Sequence, residues 1–337
     1  MTQIDLPKGL IYVCDEDPGL TRKRRGRGFM FVDSSGNRLE DKDMIERIKK
    51  LAIPPAWKDV WICSKPNGYL QATGRDDKLR KQYRYHPDWE VYSSSTKFTH
   101  IVDFADQLPE LRRRYEKDLK EPEWNQRKVL ALATALMDEL LLRVGNTYYS
   151  ATNKTYGLTT LRRKHVNFDK NGAHFSYIGK KSSERELELS DKFLTQLLKE
   201  CAEIPGYNIF RYRDDNGLHD IDSSDLNHYI NQHLLEGKHI SAKDFRTWGG
   251  TVLSVSKAAE AHQICEENPK KKMETTLIRL VSKELGNSVA ICRKYYVHPD
   301  VLEFCINNKN FSPSAKSKKR YAEFDPDEQM VLEILNN

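Results

Sequence analysis

The spacing of apolar residues changes once along this chain, near Ser93, and that change limits the possible folds more than any single motif. Before it, apolar residues come in short runs broken by turn residues. Gly28–Asp33 and Asn37–Leu39 flank Ser34-Ser35-Gly36, and Val60–Cys63 and Tyr69–Thr73 flank Lys65-Pro66-Asn67-Gly68, so two hairpins are expected. One short helix, Asp43–Ala52, is expected between them, stopped by Ile53-Pro54-Pro55. Ser93-Ser94-Ser95 reads as a linker. Beyond it Val129, Leu132, Ala133, Leu136, Met137, Leu140 and Leu141 recur at the spacing of an amphipathic helix. Glu123 is expected in its first turn, where the helix dipole favours acid, and Gly145 at its end. Three strands follow, Lys164–Phe168, His174–Ile178 and Arg185–Leu189, joined by turns at Lys170-Asn171-Gly172 and Lys181–Ser183. Helices then run to about Asn307, and the basic stretch Ser312–Arg320 and the acidic run Glu323–Glu328 lead to a short helix, Glu328–Leu335. The expected class is α+β. A small β-rich domain spans residues 1–93, and a larger, mainly helical domain with a three-stranded antiparallel sheet spans 94–310. A tail covers 311–337.

Composition removes several functional classes. The 337 residues suggest two domains at roughly 150 residues each. Thirty-eight per cent are hydrophobic, enough for a core, so global disorder is excluded. A membrane span needs roughly 20 apolar residues. The longest apolar stretch, Val129–Leu142, is interrupted by Thr134, Asp138 and Glu139, so no membrane association is expected. The start, MTQIDLPKGL, lacks a signal pattern, and none of the six cysteines has CxxC spacing, which points to reduced thiols in a cytoplasm. No GxGxxG occurs, and a P-loop around Gly179-Lys180 fails because Lys181 follows and His174 stands where glycine is needed. There is no HExxH, and His228 and His233 fall on different helix faces. Neither a cofactor nor a metal is therefore expected.

The net charge of +6 is too small to name a partner, so the arrangement of charge has to decide. Basic clusters occur at Arg22–Arg27, Lys78–Arg84 and Arg162-Arg163-Lys164. The middle one interleaves cations with Gln82, Tyr83 and Tyr85. Arg80 and Arg84 can neutralise phosphates, and the amide and phenols can meet base edges. If this segment is extended, period two puts Tyr83 and Tyr85 on one face. Further along, Arg143, Lys180, Arg246 and the pair Tyr295-Tyr296 stand in short segments with Gly145, Gly179, Gly249 and Gly286 nearby. Each has a plain structural alternative. Arg143 suits a helix C-terminus, Lys180 a solvated turn, Arg246 an ion pair, and Tyr296 a core.

Taken in order, these segments resemble the type IB DNA topoisomerases of the poxvirus and bacterial branch. The resemblance runs through Ile53-Pro54-Pro55-Ala56-Trp57, Gln71–Arg75, Arg80–Tyr85, Tyr156–Leu161, Ala242–Thr247 and Arg293–Tyr296, nearly the whole chain except the last 30 or so residues. It implies that Tyr296 is the nucleophile rather than Tyr295, that Arg143 and Arg246 hold the scissile phosphate, and that Lys180 protonates the leaving 5′ oxygen. Lys243 matches a supporting lysine, and Gln82, Tyr83 and Tyr85 match residues that touch bases. Asn287 stands where many members have histidine nine residues before the nucleophile. An amide can donate to a phosphate oxygen but adds no charge.

Residue chemistry supports these roles. A phenol with a pKa of about 10 is a poor nucleophile at neutral pH, and two guanidiniums beside it would favour the phenolate and the charge on a pentacoordinate phosphorus. Arginine stays charged and meets phosphate oxygens with two donors, and a lysine among cations can release its proton to an alkoxide. The expected activity is relaxation of supercoiled duplex DNA through a 3′-phosphotyrosyl intermediate, without ATP. The expected enzyme is a monomer that clamps double-stranded DNA, cytoplasmic and nucleoid-associated. The alternatives are a tyrosine recombinase and a non-catalytic DNA-binding protein.

Overall fold

Turn chemistry builds the N-terminal sheet. The computed structural model describes residues 6–26, 28–77, 79–95, 98, 100–145, 147–232, 240–309 and 323–336. The chain divides into two units, Met1–Lys97 and Phe98–Asn337. In the first, β1 (Leu20–Arg25) and β2 (Gly28–Val32) precede α1 (Lys42–Lys50). Then come β3 (Lys58–Ile62), β4 (Leu70–Arg75), β5 (Lys81–Tyr85) and α2 (Pro87–Ser95). The strands form one antiparallel sheet in the order β2-β1-β3-β4-β5. Leu20, Ile48, Val60, Ile62 and Ala72 make its core.

The β3–β4 hairpin matches the expectation from Lys65–Gly68. The hairpin around Ser34-Ser35-Gly36 also forms, with Val32 bridging Arg38 and Leu39 N donating to Phe31 O at 2.9 Å, although Asn37–Leu39 is too short to count as a strand. β2 pairs back onto β1, and Ser34-Ser35-Gly36 forms a tight turn in which the Asp33 carboxylate accepts from Ser35 N and Asn37 N, at 2.9 and 2.8 Å. The basic run is therefore a strand. Its Arg22 donates to Ile53 O, Pro54 O and Trp57 O at 2.8–3.0 Å and lies over the Phe29 ring. The arginine stem covers apolar surface while the head satisfies loop carbonyls, so charge hid a strand. Ser93–Ser95 is the last turn of α2 rather than a linker. The helix starts at Pro87 with Asp88 and Glu90 in its first turn and is well enough initiated to carry through serines.

The second unit opens with α3 (His100–Asp118), α4 (Gln126–Leu140) and α5 (Thr147–Asn153). An antiparallel sheet follows in the order β6 (Val166–Phe168), β7 (Ala173–Ile178), β8 (Glu184–Leu189). Next come α6 (Lys192–Glu203), the ribbon β9 (Arg211–Asp214) and β10 (Gly217–Asp220), and α7 (Ser223–Asn231). The remaining helices are α8 (Ala242–Ser256), α9 (Ala258–Glu267), α10 (Met273–Leu285), α11 (Val289–Tyr295), α12 (Pro299–Asn307) and α13 (Pro326–Leu335). Every residue of α4 from Lys128 to Met137 is buried, the mark of a helix at the centre of a core. Among the described residues no helix is long and apolar enough to cross a membrane.

Both ends of α4 depart from the expectation. Asn125 caps it by accepting from Lys128 N at 3.0 Å, so Glu123 lies outside the helix. The helix stops at Leu140, well before Gly145, because Leu141 is left-handed (φ 51°, ψ 37°). A Cβ on Gly249 of α8 would sit 2.6 Å from Leu141 Cδ1, so the leucine side chain fills the space this glycine leaves. The chain then runs extended, with Arg143 O and Val144 O accepting from Leu158 N and Thr159 N, both at 2.7 Å. Arg143 is thus held on an extended segment, not at a helix end. The ribbon β9–β10 was not expected, although Asn216-Gly217 marks its turn.

At the other end of the chain Asp325 caps α13, and Glu328, 4 % exposed, accepts from both Arg112 Nη atoms and from Trp248 Nε1. The acidic run therefore feeds a buried ion pair. Ser312–Arg320 lies outside the described residues.

Candidate active site

Helix α10 ends at Gly286, whose φ of 59° is cheap only for glycine. The last carbonyls of a helix lack intrahelical partners and form the negative end of its dipole. Three arginines from three different elements meet them. Arg185 of β8 donates to Glu284 O at 2.8 Å, Arg246 of α8 to Leu285 O at 2.8 Å, and Arg143 to Gly286 O at 2.9 Å. Arg246 also donates to Leu141 O, which ties the end of α4 to α8 and α10. Arg246 is 3 % exposed and Arg185 6 %. Burial first, then the nearby Arg246 charge, pulls Arg143 down to about 10, which still leaves it charged at neutral pH. Burial lowers Arg246 as well. So much buried positive charge calls for an anion.

Two buried donors of this cluster are left over. Arg246 Nε and Asn287 Nδ2 are buried and find no hydrogen-bond partner among the described residues. Such a donor costs about 1–3 kcal/mol if nothing ever satisfies it. The Asn287 amide has a fixed sense: Arg143 donates to its Oδ1, so Nδ2 is the atom left to give. Asn287 does not cap the next helix. Ser288 does, accepting from Ile291 N at 3.4 Å.

Tyr296 follows the last turn of α11 with its ring 5.2 Å from Arg246 Cζ. A Cβ on Gly250 would fall 2.5 Å from Tyr296 O and 3.1 Å from Tyr296 Cβ, so a glycine lets α8 come this close. Arg143, Lys180, Arg185, Asn287, Ser288 and Tyr296 line one cleft of ≈ 460 Å³. Tyr295 is not among its lining residues and instead carries Lys294 5.2 Å from its ring. Lys180 is exposed at the tip of the β7–β8 hairpin. The tip residues Lys181 and Ser182 have φ of 62° and 58°, the two left-handed positions of a type I′ turn, here without Asn or Gly. Lys243 is exposed in the first turn of α8, one turn before Arg246 and outside that lining.

In the N-terminal unit β5 is one of the two edge strands. Tyr83 and Tyr85 stack on one face, with ring centroids 5.9 Å apart and planes at 7°. Tyr83 is 46 % exposed, while burial pushes the Tyr85 phenol up. Gln82 and Arg84 belong to the other set of alternate positions. Gln82 Nε2 and Arg80 Nε both donate to Asp76 Oδ2, at 3.0 and 2.7 Å. Arg84 donates to Ala52 O at 3.2 Å beside the Trp57 ring.

A larger cavity of ≈ 640 Å³ lies elsewhere in the second unit, but Asp138, Glu139, Asp191, Asp325 and Glu328 line it against Arg112 alone. Its charge would repel a phosphate.

A cationic cleft with a phenol and a mobile-stemmed lysine fits phosphoryl transfer to tyrosine. The family model described as eukaryotic DNA topoisomerase I, catalytic core, matches residues 86–311, and the one described as bacterial DNA topoisomerase IB, N-terminal domain, matches 28–76. The chain belongs to the type IB DNA topoisomerase family. It is 30 % identical over 301 residues to the DNA topoisomerase 1B of Acanthamoeba polyphaga mimivirus, covering 87 % of this chain and 89 % of that one. It is 22 % identical over 293 residues to the vaccinia virus DNA topoisomerase 1B, covering 85 % and 88 %. As a type IB topoisomerase it is an enzyme acting on DNA.

One arginine of this cluster, Arg185, is not singled out by any sequence motif. Arg185 opens the expected strand Arg185–Leu189, in which Leu187 and Leu189 alternate with Glu186 and Glu188. That alternation held its signal, because Arg185 shares a face with Leu187 and Leu189, and an arginine in an inward position has a specific task.

Proposed function

We propose that the chain relaxes supercoiled duplex DNA by nicking and resealing one strand through Tyr296. The phenol sheds its proton to solvent and its Oη attacks the scissile phosphorus. The bond from phosphorus to O5′ breaks, leaving a 3′-phosphotyrosyl link and a 5′ hydroxyl whose proton comes from Lys180. The energy of the phosphodiester stays in the new link, so the hydroxyl can reseal it after the duplex has swivelled. Arg143, Arg246 and Asn287 hold the non-bridging oxygens. The observation that supports this most is the pair of buried donors, Arg246 Nε and Asn287 Nδ2, left open beside Tyr296. Lys243 has a subsidiary part, as an exposed cation one turn before Arg246 on α8. The N-terminal residues 1–93 clamp the duplex, with Gln82, Tyr83 and Tyr85 against bases and Arg80 and Arg84 against phosphates. We read the enzyme as a monomer working on the nucleoid in a cytoplasm.

The polarity of the link tests this reading. A duplex labelled on the 5′ side of the nick should transfer its label to protein and release a strand with a 5′ hydroxyl. Label transfer from the 3′ side would overturn it, and joined strands from two duplexes would favour a recombinase.

Asn287→Ala should slow single-turnover cleavage by roughly 10- to 150-fold, the worth of one hydrogen bond to a charged oxygen. DNA affinity should not change. A normal rate with a lowered melting point would make Asn287 structural.

Affinity should fall with salt at a log–log slope of about −0.9 per phosphate neutralised. Arg84→Gln should flatten that slope by about one such step. Arg80→Gln should flatten it less, because Asp76 already offsets its charge. Equal effects from the two would contradict the assigned pairing.

A further inference from the structure

We propose that Arg185 is a positioning residue that sets Lys180 against the scissile phosphate by fastening the β7–β8 hairpin to the Gly286-Asn287 turn. The proposal rests on the reading of Lys180 as the proton donor.

A general acid must reach its oxygen within hydrogen-bond distance. Lys180 has a long, rotatable stem and stands exposed on a hairpin tip whose two central residues are left-handed without glycine. Nothing in such a turn by itself aims the lysine at a phosphate held on a different element. The anchor must come from the hairpin's root.

Arg185 stands there. It pairs across the sheet with Tyr177, and it lies beside the Tyr177 phenol. Its stem runs under the residue before the lysine: a Cβ on Gly179 would fall 3.0 Å from Arg185 Cγ. Its head lies over the residue before the amide: a Cβ on Gly286 would fall 2.6 Å from Arg185 Cζ. The guanidinium donates from Nη2 to Glu284 O at 2.8 Å and from Nη1 toward Lys283 O at 3.5 Å. A positive group at the C-terminal end of α10 also complements the dipole there. One buried side chain thus touches the neighbour of Lys180 at one end and the neighbour of Asn287 at the other. Its Nη donors go to backbone carbonyls and, unlike Arg246 with its open Nε, it has no buried donor left without a partner among the described residues, which suits a strut better than a phosphate ligand.

The readout is the leaving group. A 5′-bridging sulfur departs without a proton, so it removes the need for a general acid. Arg185→Met keeps the length of the stem and removes the donors. It should slow single-turnover cleavage of the ordinary duplex by about 100-fold, the scale of an ångström-sized misplacement. On the sulfur duplex the loss should shrink to about threefold or less, since no proton is needed there. Lys180→Ala should show the same rescue, and the double variant should be no slower on the ordinary duplex than Lys180→Ala alone.

Equal losses on both duplexes for Arg185→Met, with Lys180→Ala rescued, would overturn the proposal and leave the general acid standing. If Lys180→Ala is not rescued, the general-acid reading falls and the proposal falls with it. Should Arg185→Met fail to melt cooperatively, Arg185→Lys carries the test. It keeps charge and packing but loses the paired donors, and a smaller loss with the same sulfur rescue is expected. A loss without rescue would overturn the proposal.

Discussion

Tyr296→Phe should abolish both relaxation and the covalent protein–DNA adduct and leave DNA binding almost intact, while Tyr295→Phe should keep both activities. The two substitutions each delete one oxygen, so the contrast isolates position. Tyr296 lines the cleft with Arg143, Lys180 and Asn287, and its ring lies against the Arg246 guanidinium. Tyr295 lies outside that lining and against Lys294. Covalent capture on labelled duplex followed by peptide mapping reads the result. An inactive Tyr295 variant beside an active Tyr296 variant would move the nucleophile by one residue.

Arg246→Ala should lower single-turnover cleavage by about 10²- to 10³-fold through lost transition-state charge stabilisation alone. A second loss should add to this, because Arg246 also donates to Leu141 O and Leu285 O and so joins α4, α8 and α10. The melting temperature should therefore drop as well. Arg246→Lys should rescue neither. One ammonium cannot hold two carbonyls in that geometry and still present a donor to phosphate. Cleavage rates and melting curves on the two variants check this. A fully active lysine variant would show that only the charge matters.

The class of the fold was legible because burial imposes a period on sequence. The β6–β8 sheet, the β3–β4 hairpin and the middle of α4 all followed from alternation or from three- and four-residue spacing. Boundaries set by long-range packing were not legible. Leu141 leaves the helix because its side chain meets Gly249, more than a hundred residues away, and no local pattern announces that. β1 was hidden because four consecutive basic residues carry no apolar alternation, though their backbone pairs like any other.

The site shows the same division. The residue types at Arg143, Lys180, Arg246, Asn287 and Tyr296 pointed to phosphoryl transfer only through the resemblance of their order to a family. What gathers the three arginines, the carbonyls of Glu284, Leu285 and Gly286, is backbone and leaves no trace in side-chain chemistry. The sense of the Asn287 amide likewise depends on Arg143, 144 residues away in sequence.

Relaxation of a supercoiled plasmid in EDTA, with no nucleotide added, tests the central claim most directly. Stoichiometric or smaller amounts of the protein should yield a ladder of relaxed topoisomers, and the Tyr296→Phe protein should yield none. A plasmid that stays supercoiled, or one that relaxes only when ATP or a divalent metal is supplied, would contradict it.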